Sequence, residues 1–318
     1  MIVYILKDGL GNQFFEYAYA KKLQEETGED IVFCTWLYNL KNFSLNKTRQ
    51  CSLQHFCLPK DTKVLFGIKN FVHFVSFMLR LALVYKKDFI SWFVKGKRVS
   101  RKQHYENDCK KGLYISEETF SVPEYIPSKK KTKYVFGNYE GILAFPKNMS
   151  KLKEELQVKT SPNEDNKKML QKILAEQDSV CMHVRRGDYL NKGNEWLQVC
   201  NYDYYKNAVK YIKGKVENPT FFIFSNTHDD IEWIKENYKF DMDPIYVDLS
   251  NPDYEEIRLM MSCKHFIISN STFSWWAQYL SRNDQKIVVA PKYWSNGGYH
   301  KDIYDKTWII IDNKRRQR

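Results

Sequence analysis

The sequence predicts an α/β protein of two domains, each built on a parallel sheet. At the N-terminus, a strand over residues 1–6, a helix over residues 13–26 and a strand over residues 31–36 form a β-α-β opening. A second series of strands, separated by segments long enough for helices, begins at residue 179. The length of 318 residues suits two domains of ordinary size.

The second series predicts a parallel sheet in the C-terminal half of the chain. Its strands are expected over residues 179–184, 220–225, 245–248, 265–269 and 287–290. A charged helix over residues 151–175 precedes them, so we predict domains of residues 1–150 and 151–318, with the boundary near residues 145–165. The aromatic, lysine-rich stretch over residues 40–135 is expected to be irregular.

The composition excludes a disordered chain, because 43% of the residues are hydrophobic and 16% are aromatic. A formal net charge of +12 favours an anionic partner, which could be nucleic acid, a membrane surface or a phosphorylated small molecule. The lysines are spread along the chain, and no nucleic-acid-binding motif combines them with aromatic residues. We therefore expect no nucleic-acid partner.

Cysteine usage and the N-terminus predict a cytoplasmic protein. The seven cysteines are odd in number and widely spaced, with no Cys-x-x-Cys pair, so we expect reduced thiols. The short apolar run of residues 1–6 resembles a buried strand rather than a signal peptide. Without an export signal, the sequons at Asn42, Asn46, Asn148 and Asn270 are interpreted as chance matches.

One segment, residues 64–94, has two interpretations. Apolar residues alternate there with Lys69, Arg80, Lys86 and Lys87, so the segment is too interrupted to span a bilayer. The favoured interpretation is a set of core helices with solvated lysines. The alternative is a basic amphipathic segment that lies on the anionic inner face of the membrane and attaches the protein peripherally.

Residues 183–188, His-Val-Arg-Arg-Gly-Asp, directly follow a predicted buried strand. Open α/β sheets bind ligands at the carboxyl ends of their strands. Arg185 and Arg186 cannot both lie in a core, and guanidinium groups suit bidentate contact with phosphate oxygens. At least one arginine is expected to face an anionic ligand, and the alternative is a structural ion pair with Asp188.

A second motif, residues 265–276, reads as a strand, a polar turn and the start of a helix. Asn270 or Ser271 is the expected N-cap, and Thr272, Trp275 and Trp276 follow a helical apolar pattern. A helix N-terminus offers free N–H groups and the positive end of the dipole. The turn is therefore either an anion-binding cradle or simply the capped end of a core helix.

The third motif is the first strand-to-helix turn, Gly9-Leu-Gly-Asn-Gln13. Its glycines allow close approach of the backbone to a ligand. The dinucleotide fingerprint needs a third glycine, whereas position 14 is Phe, and no acidic residue ends the second predicted strand. A nicotinamide or flavin cofactor is therefore disfavoured.

Together the three motifs resemble the α1,2-fucosyltransferase family, the inverting, GDP-fucose-dependent glycosyltransferases of family 11 type. They resemble the α1,6- and protein O-fucosyltransferases more loosely. The match covers most of residues 1–20 and 180–282, including residues 224–226 and 259–265. The resemblance implies a GT-B-like α/β fold of two facing Rossmann-like domains, with acceptor on the N-terminal side and GDP-fucose in the C-terminal domain.

The resemblance also implies roles for individual residues. Arg185 looks like the arginine that grips the β-phosphate, His183 like the residue near the guanine or ribose, and Asn12 like the asparagine near the fucose. Glu256 falls near the acidic position that reads guanine, although Asp253 and Glu255 are close. The implied catalytic residues are Arg185, Asp188 and Asn12, and the implied donor-binding residues are His183, Arg185, Arg186, Ser225, Glu256, Asn270, Ser271, Thr272, Phe273, Ser274, Gly9 and Gly11.

The implied reaction moves L-fucose from GDP-β-L-fucose to O2 of a terminal galactose, with inversion and without metal or cofactor. The acceptor would be a galactose-terminated oligosaccharide or a lipid-linked glycan. Another regiochemistry, another sugar nucleotide and a non-catalytic carbohydrate-binding relative remain alternatives. Asp241-Met-Asp243 matches a metal-holding pattern of other glycosyltransferases, but its loop setting beside Pro244 disfavours that role.

The sequence does not identify the general base that would take the proton of the acceptor hydroxyl. Asp188 is expected to orient the arginines or the turn. Asp8 and Glu16 flank the first turn; the favoured interpretation is that they are solvated charges, and the alternative is that they face the cleft.

Overall fold

The computed structural model describes residues 1–40, 49–86, 104–116, 122–298 and 300–313. The sequons at Asn42 and Asn46 and residues 87–94 of the basic apolar segment lie outside the described residues. The chain divides into two compact units, Met1–Leu156 and Gln157–Arg318, called unit 1 and unit 2 below.

Unit 1 contains a five-stranded parallel sheet with the order β3-β2-β1-β5-β4. Its strands are β1 (Ile2–Ile5), β2 (Ile31–Cys34), β3 (Lys63–Leu65), β4 (Leu113–Ile115) and β5 (Lys133–Phe136). Its helices are α1 (Leu10–Thr27), α2 (Gly67–Tyr85), α3 (Tyr105–Lys110) and α4 (Met149–Glu155).

The core of unit 1 is aromatic. Tyr4 and Tyr17 are fully buried, and the rings of Tyr19 and Tyr139 stack with centroids 3.9 Å apart. Most of α1 is buried, and the helix ends at Gly28, whose φ of 67° gives the left-handed conformation that glycine favours at a helix C-terminus. This burial holds the β1–α1 turn rigidly at one edge of the sheet.

Two predictions for the first half of the chain were wrong. The stretch expected to be irregular supplies β3, β4 and α3, because three-residue strands that pair with distant partners leave little periodic signal. Within that stretch, α2 is the helix that the favoured interpretation of residues 64–94 predicts. The helix expected over residues 151–175 is broken. α4 ends at Glu155, Pro162 cannot continue a helix, and the side chain of Asn163 caps a new one by accepting from the N–H of Asn166.

Unit 2 contains a six-stranded parallel sheet with the order β11-β10-β9-β6-β7-β8. The strands are β6 (Ser179–His183), β7 (Thr220–Phe224), β8 (Ile245–Tyr246), β9 (His265–Ile267), β10 (Val288–Pro291) and β11 (Ile309–Ile311). The helices are α5 (Glu164–Ala175), α6 (Tyr202–Lys213), α7 (His228–Asn237), α8 (Asp253–Met261) and α9 (Thr272–Leu280). The five predicted strands are confirmed, and β11 was not predicted.

Each sheet has a position at which the strand order reverses. In unit 2 the chain runs from β6 to β7 and β8 on one side, and β9 then returns to the other side of β6. In unit 1 it runs from β1 to β2 and β3, and β5 returns to the other side of β1. Ligands of open parallel sheets bind at such reversals, outside the carboxyl ends of the strands. The predicted class of two α/β units with parallel sheets is therefore confirmed.

Candidate active site

The strand-order reversal of unit 2 brings two of the predicted motifs to one place. β6 and β9 are neighbours, with Met182 opposite Ile267, so the segments that follow them leave the sheet side by side. The hydroxyl of Tyr189 donates to the carbonyl oxygen of Asn270 over 2.7 Å and ties the two segments together. Residues 183–188 and 268–274 therefore form one site.

His183 ends β6 and is buried. Its Nδ1 lies 3.0 Å from the hydroxyl of Ser269, and its carbonyl oxygen accepts from the hydroxyl of Tyr205. Burial, helped by the charge of Arg185, lowers the pKa of His183 to about 3. The imidazole is thus neutral at ordinary pH, which suits contact with an uncharged base or ribose.

Arg185 forms the ion pair with Asp188 that was the alternative interpretation, and it also keeps an N–H group for a ligand. Its Nη2 donates to the carboxylate of Asp188, and its guanidinium lies 5.1 Å from the ring centre of Tyr189. Its Nε is buried and has no hydrogen-bond partner among the described residues. A buried N–H without a hydrogen-bond partner costs free energy in the folded protein. The Nε of Arg185 is therefore a candidate donor to a bound ligand.

Arg186 is engaged differently. Its Nε donates to Asp230 over 3.2 Å, and its guanidinium stacks 3.4 Å from the ring centre of Trp233. The next residue, Gly187, has a φ of 41°, and a Cβ there would lie 2.7 Å from Cγ of Asn226. Arg186 therefore shapes the turn, and glycine is required beside it. The sequence did not reveal these partners, although Asn226 belongs to a polar segment after β7.

The second half of the site is the N-terminus of α9. Ser271 is the N-cap, and its hydroxyl accepts from the N–H of Phe273 over 3.3 Å. Ser274 is buried, and its hydroxyl donates to the carbonyl of Ser271. Thr272 and Phe273 are partly exposed. The first turn thus presents backbone N–H groups at the carboxyl edge of the sheet, as the anion-cradle interpretation requires.

Two residues predicted to contact the donor, Asn270 and Ser225, instead donate hydrogen bonds to backbone carbonyl groups of neighbouring segments. The side-chain amide of Asn270 donates to the carbonyl oxygens of Leu197 and Trp294, over 2.9 and 2.8 Å. The hydroxyl of Ser225 donates to the carbonyl of Val184 over 2.8 Å. Asn270 fixes the loops around the helix N-terminus, and the N-cap itself is Ser271.

The acidic residues of α8 are now distinguishable. Glu255 is buried and accepts from Nε of Arg258 over 2.9 Å, so its charge is already compensated. Burial raises the pKa of Glu256 to about 8, nearby Asp248 adds to the rise, and a hydrogen bond from Asn251 opposes it. Glu256 is therefore the better candidate of the two to recognise a ligand's N–H groups.

Comparisons with known proteins show the family of this chain. Residues 1–312 match Glycosyl transferase family 11. The chain belongs to this family. It is 26% identical to the O-antigen biosynthesis glycosyltransferase WbnK of Escherichia coli, over 96% of this chain and 99% of that one. It is 29% identical to an α-1,2-colitosyltransferase of Escherichia coli, over 92% of both chains.

Two further similarities are partial or distant. Over 110 residues, a third of this chain and 29% of the other, it is 31% identical to galactoside α-(1,2)-fucosyltransferase 1 of Saimiri sciureus. The solved fucosyltransferase NodZ from Bradyrhizobium matches with a TM-score of 0.48 and 12% identity, over 87% of this chain and 92% of that one. The family match over residues 1–312 makes this chain a glycosyltransferase and confirms the resemblance seen in the three motifs.

In unit 1 of this family 11 enzyme, the glycine turn lies at the other strand-order reversal. Gly9 is the N-cap of α1, and a Cβ at this position would lie 3.6 Å from the guanidinium of Arg49. Gly11 is buried in the first turn of the helix. The amide of Asn12 donates to the carboxylate of Asp8 over 3.4 Å. Asn12 and Asp8 thus stand together at the carboxyl end of β1.

The expectation that Glu16 is solvated was wrong. Glu16 is fully buried on α1, one carboxyl oxygen accepts from the backbone N–H of Lys7, and the other has no hydrogen-bond partner among the described residues. Burial raises its pKa well above the ordinary value. Glu140, which follows β5, is also buried, and burial raises its pKa to about 8. The sequence could not show that α1 buries its acidic side chain.

Carboxylates of unit 2 could also hold a metal, and their positions differ. Asp241 and Asp243 are exposed and precede β8, at the amino edge of the sheet, opposite the edge that carries Arg185. His228, Glu232 and Asp248 follow the strands, with ligand atoms within 4.8 Å of one another. There Nζ of Lys235 lies 2.6 Å from Glu232 and competes for its carboxylate. Because Asp241 and Asp243 lie at the edge opposite Arg185, they are badly placed to hold a metal ion at the donor phosphates.

Proposed function

We propose that this chain transfers L-fucose from GDP-β-L-fucose to O2 of a terminal galactose, with inversion and without a metal ion. The observation that carries the proposal is the pairing of Arg185, whose buried Nε lacks a partner, with the capped N-terminus of α9. Both supply N–H donors and positive charge at one edge of one sheet. A nucleoside diphosphate is the leaving group that such a site suits.

The chemistry follows from where charge develops. The bond between the sugar C1 and the β-phosphate oxygen breaks, so negative charge grows on that phosphate as GDP leaves. The acceptor oxygen forms its bond to C1 from the opposite face, which inverts the anomeric centre, and its proton passes to a base or to solvent. Arg185 and the N–H groups behind Ser271 would stabilise the departing phosphate more strongly in the transition state than in the ground state.

The nucleoside would be recognised by neutral and acidic groups on the same edge. His183 is uncharged and buried, so it would contact guanine or ribose without attracting the phosphates. A carboxylate at Glu256 would accept from the N–H groups of guanine. Asp188 would hold the Arg185 guanidinium in position through their ion pair.

The names of the relatives support an α-1,2 linkage and name two candidate sugars for transfer, fucose and colitose. One partial relative is a galactoside α-(1,2)-fucosyltransferase, which favours fucose and galactose. The relative that matches over 92% of the chain is an α-1,2-colitosyltransferase, which makes colitosyl transfer the second candidate. WbnK, an O-antigen biosynthesis enzyme, favours a lipid-linked or oligosaccharide acceptor.

The deciding experiment measures GDP release from GDP-fucose with lactose as acceptor, in EDTA, for the wild type and Arg185→Ala. We expect acceptor-dependent release that survives chelation and falls about a thousandfold in the variant. Nuclear magnetic resonance of the product should show an α-linked fucose on O2 of galactose.

Arg282→Ala is a matched control, because Arg282 is an exposed arginine of the same unit. It should keep wild-type turnover. Activity with a colitose donor but none with GDP-fucose would select the second candidate. Turnover that disappears in EDTA and returns with Mn²⁺ would contradict the metal-independent reaction, and His228→Ala would then test the histidine–carboxylate cluster.

A further inference from the structure

Helix α2 of unit 1 is apolar on two opposite sides, and only one of them packs on the sheet. The packed side consists of Asn70, Phe74, Phe77, Leu81 and Tyr85. The outward stripe contains four large apolar residues, each more than half exposed, namely Ile68 (79%), Val72 (55%), Leu79 (61%) and Leu83 (76%). Their spacing of four, seven and four residues places them on one face of the helix.

The composition of α2 would allow it to cross a bilayer, and its contacts oppose that. Among the described residues it is the one helix long and apolar enough to span, with a mean hydropathy of 1.4. However, the side-chain amide of Asn70 donates to the hydroxyl of Thr35 over 3.0 Å and accepts from the backbone N–H of Thr35 over 2.9 Å. Arg80 donates to the carbonyl oxygen of Thr132 on the segment before β5. The helix is fixed along the sheet and can only lie on a surface.

The charged residues of α2 and its C-cap, Lys69, Arg80 and Lys86, are all basic. Lys69 and Lys86 are exposed near the two ends of the helix, Lys63 is exposed on β3, and the exposed Asp61 precedes that strand. If two copies paired through this stripe in antiparallel fashion, Lys69 of each would approach Lys86 of the other and repel it. Anionic headgroups would instead pair with these lysines while the apolar stripe enters the acyl boundary.

We propose that unit 1 docks on an anionic lipid bilayer through the outward stripe of α2, Ile68, Val72, Leu79 and Leu83, flanked by Lys63, Lys69 and Lys86. This surface belongs to unit 1, whereas Arg185 and the N-terminus of α9 belong to unit 2. Docking would concentrate the enzyme where a lipid-linked acceptor lies. The proposal does not depend on which sugar or acceptor the enzyme uses.

The test is co-sedimentation of the full chain with vesicles of phosphatidylcholine alone and with vesicles that also contain phosphatidylglycerol. The wild type should bind the anionic vesicles, and high salt should weaken the binding. The double variant Leu79→Glu/Leu83→Glu should lower the vesicle partition coefficient at least about tenfold, because two charges would have to enter the acyl boundary. Leu174→Glu is the matched control, because Leu174 is a 59% exposed helical leucine of unit 2.

Four results would overturn the proposal. The wild type could fail to bind either vesicle, the double variant could bind as the wild type does, or Leu174→Glu could lose binding equally. The fourth result would come from sedimentation equilibrium. A wild-type dimer that dissociates in the double variant would show that a second copy of the chain, and not a bilayer, covers the stripe. Circular dichroism must show that the variants are folded, and a second double variant, Lys69→Glu/Lys86→Glu, should also lose binding to anionic vesicles.

Discussion

The two strand-order reversals of this chain occupy equivalent places in their sheets and carry different polar groups. In unit 2 the segments after β6 and β9 present Arg185 and the N–H groups of a helix start. In unit 1 the segments after β1 and β5 present Asp8, Glu16 and Glu140. The unit 2 edge thus carries an arginine beside free backbone N–H groups, whereas the unit 1 edge carries three carboxyl groups, of which Asp8 lies 3.8 Å from Arg49.

The two units share one kind of topology and differ in the residues that follow their strands. A parallel sheet fixes where a ligand binds, and the loop residues decide which ligand that is. In unit 1 burial raises the pKa values of Glu16 and Glu140, so these two carboxyls take up protons at a pH where exposed ones would be charged. Asp8 is partly exposed and lies near Arg49, so the two kinds of carboxyl differ in environment.

The largest effect is expected from separating the two arginines of unit 2. Arg185→Ala should lower kcat/KM about a thousandfold without unfolding the enzyme, because it removes a phosphate donor. Arg186→Ala should instead lower the free energy of unfolding by about 1–3 kcal/mol, because it removes a charge-assisted bond to Asp230 and the stacking on Trp233. Steady-state kinetics and urea denaturation of both variants measure the contrast. Equal losses of activity at equal stability would contradict it.

The pH dependence of GDP binding should follow Glu256. Its carboxyl is protonated below a pKa of about 8 in the free protein, and contact with the N–H groups of guanine requires the ionised form. Binding therefore releases a proton, and affinity should rise roughly tenfold per pH unit up to that pKa. Calorimetry in buffers of different ionisation enthalpy counts the released proton. Glu256→Gln should remove this dependence, and a wild-type affinity that does not change with pH would argue against the role.

Substitution of Gly187 tests how much the geometry of the turn contributes to stability and to GDP binding. Gly187→Ala should cost about 2 kcal/mol of unfolding free energy and weaken GDP binding, because the new Cβ meets Asn226 and the φ of 41° disfavours a side chain. Gly193→Ala is the matched control, since it also has a positive φ, of 94°, but has nothing within 4 Å. Thermal unfolding and GDP titration measure both. Equal effects in the two variants would mean that backbone strain alone matters.

The smallest effect concerns Glu140 in unit 1. Its pKa is raised from 4.5 to about 8 in the folded protein, so the folded state binds a proton more tightly than the unfolded state. Stability is then greatest below 4.5 and is lost as the pH rises through 8. Glu140→Gln should remove the part of this loss that Glu140 contributes, leave the part due to Glu16, and change GDP binding least among these variants. Denaturation across this range measures it, with exposed Glu154→Gln as a control that should change nothing.

The sequence by itself located the three turns and the kind of helix start that follows β9. A strand, a polar turn and an N-cap are local features, and local spacing specifies them, as Ser271 and the helix from Thr272 show. The two series of strands were recognisable for the same reason. Short strands without periodicity, such as β3 and β4, were not, because distant partners stabilise them.

Only the tertiary structure decided which of two adjacent charged residues is available. Arg185 and Arg186 are chemically alike, and so are Glu255 and Glu256, but Asp230 and Arg258 each engage one member of the pair. Burial of Glu16 and exposure of the α2 stripe were likewise set by packing. Availability, pKa and exposure depend on neighbours that are distant in the chain, and the energy of a charge depends on them more than on its own sequence.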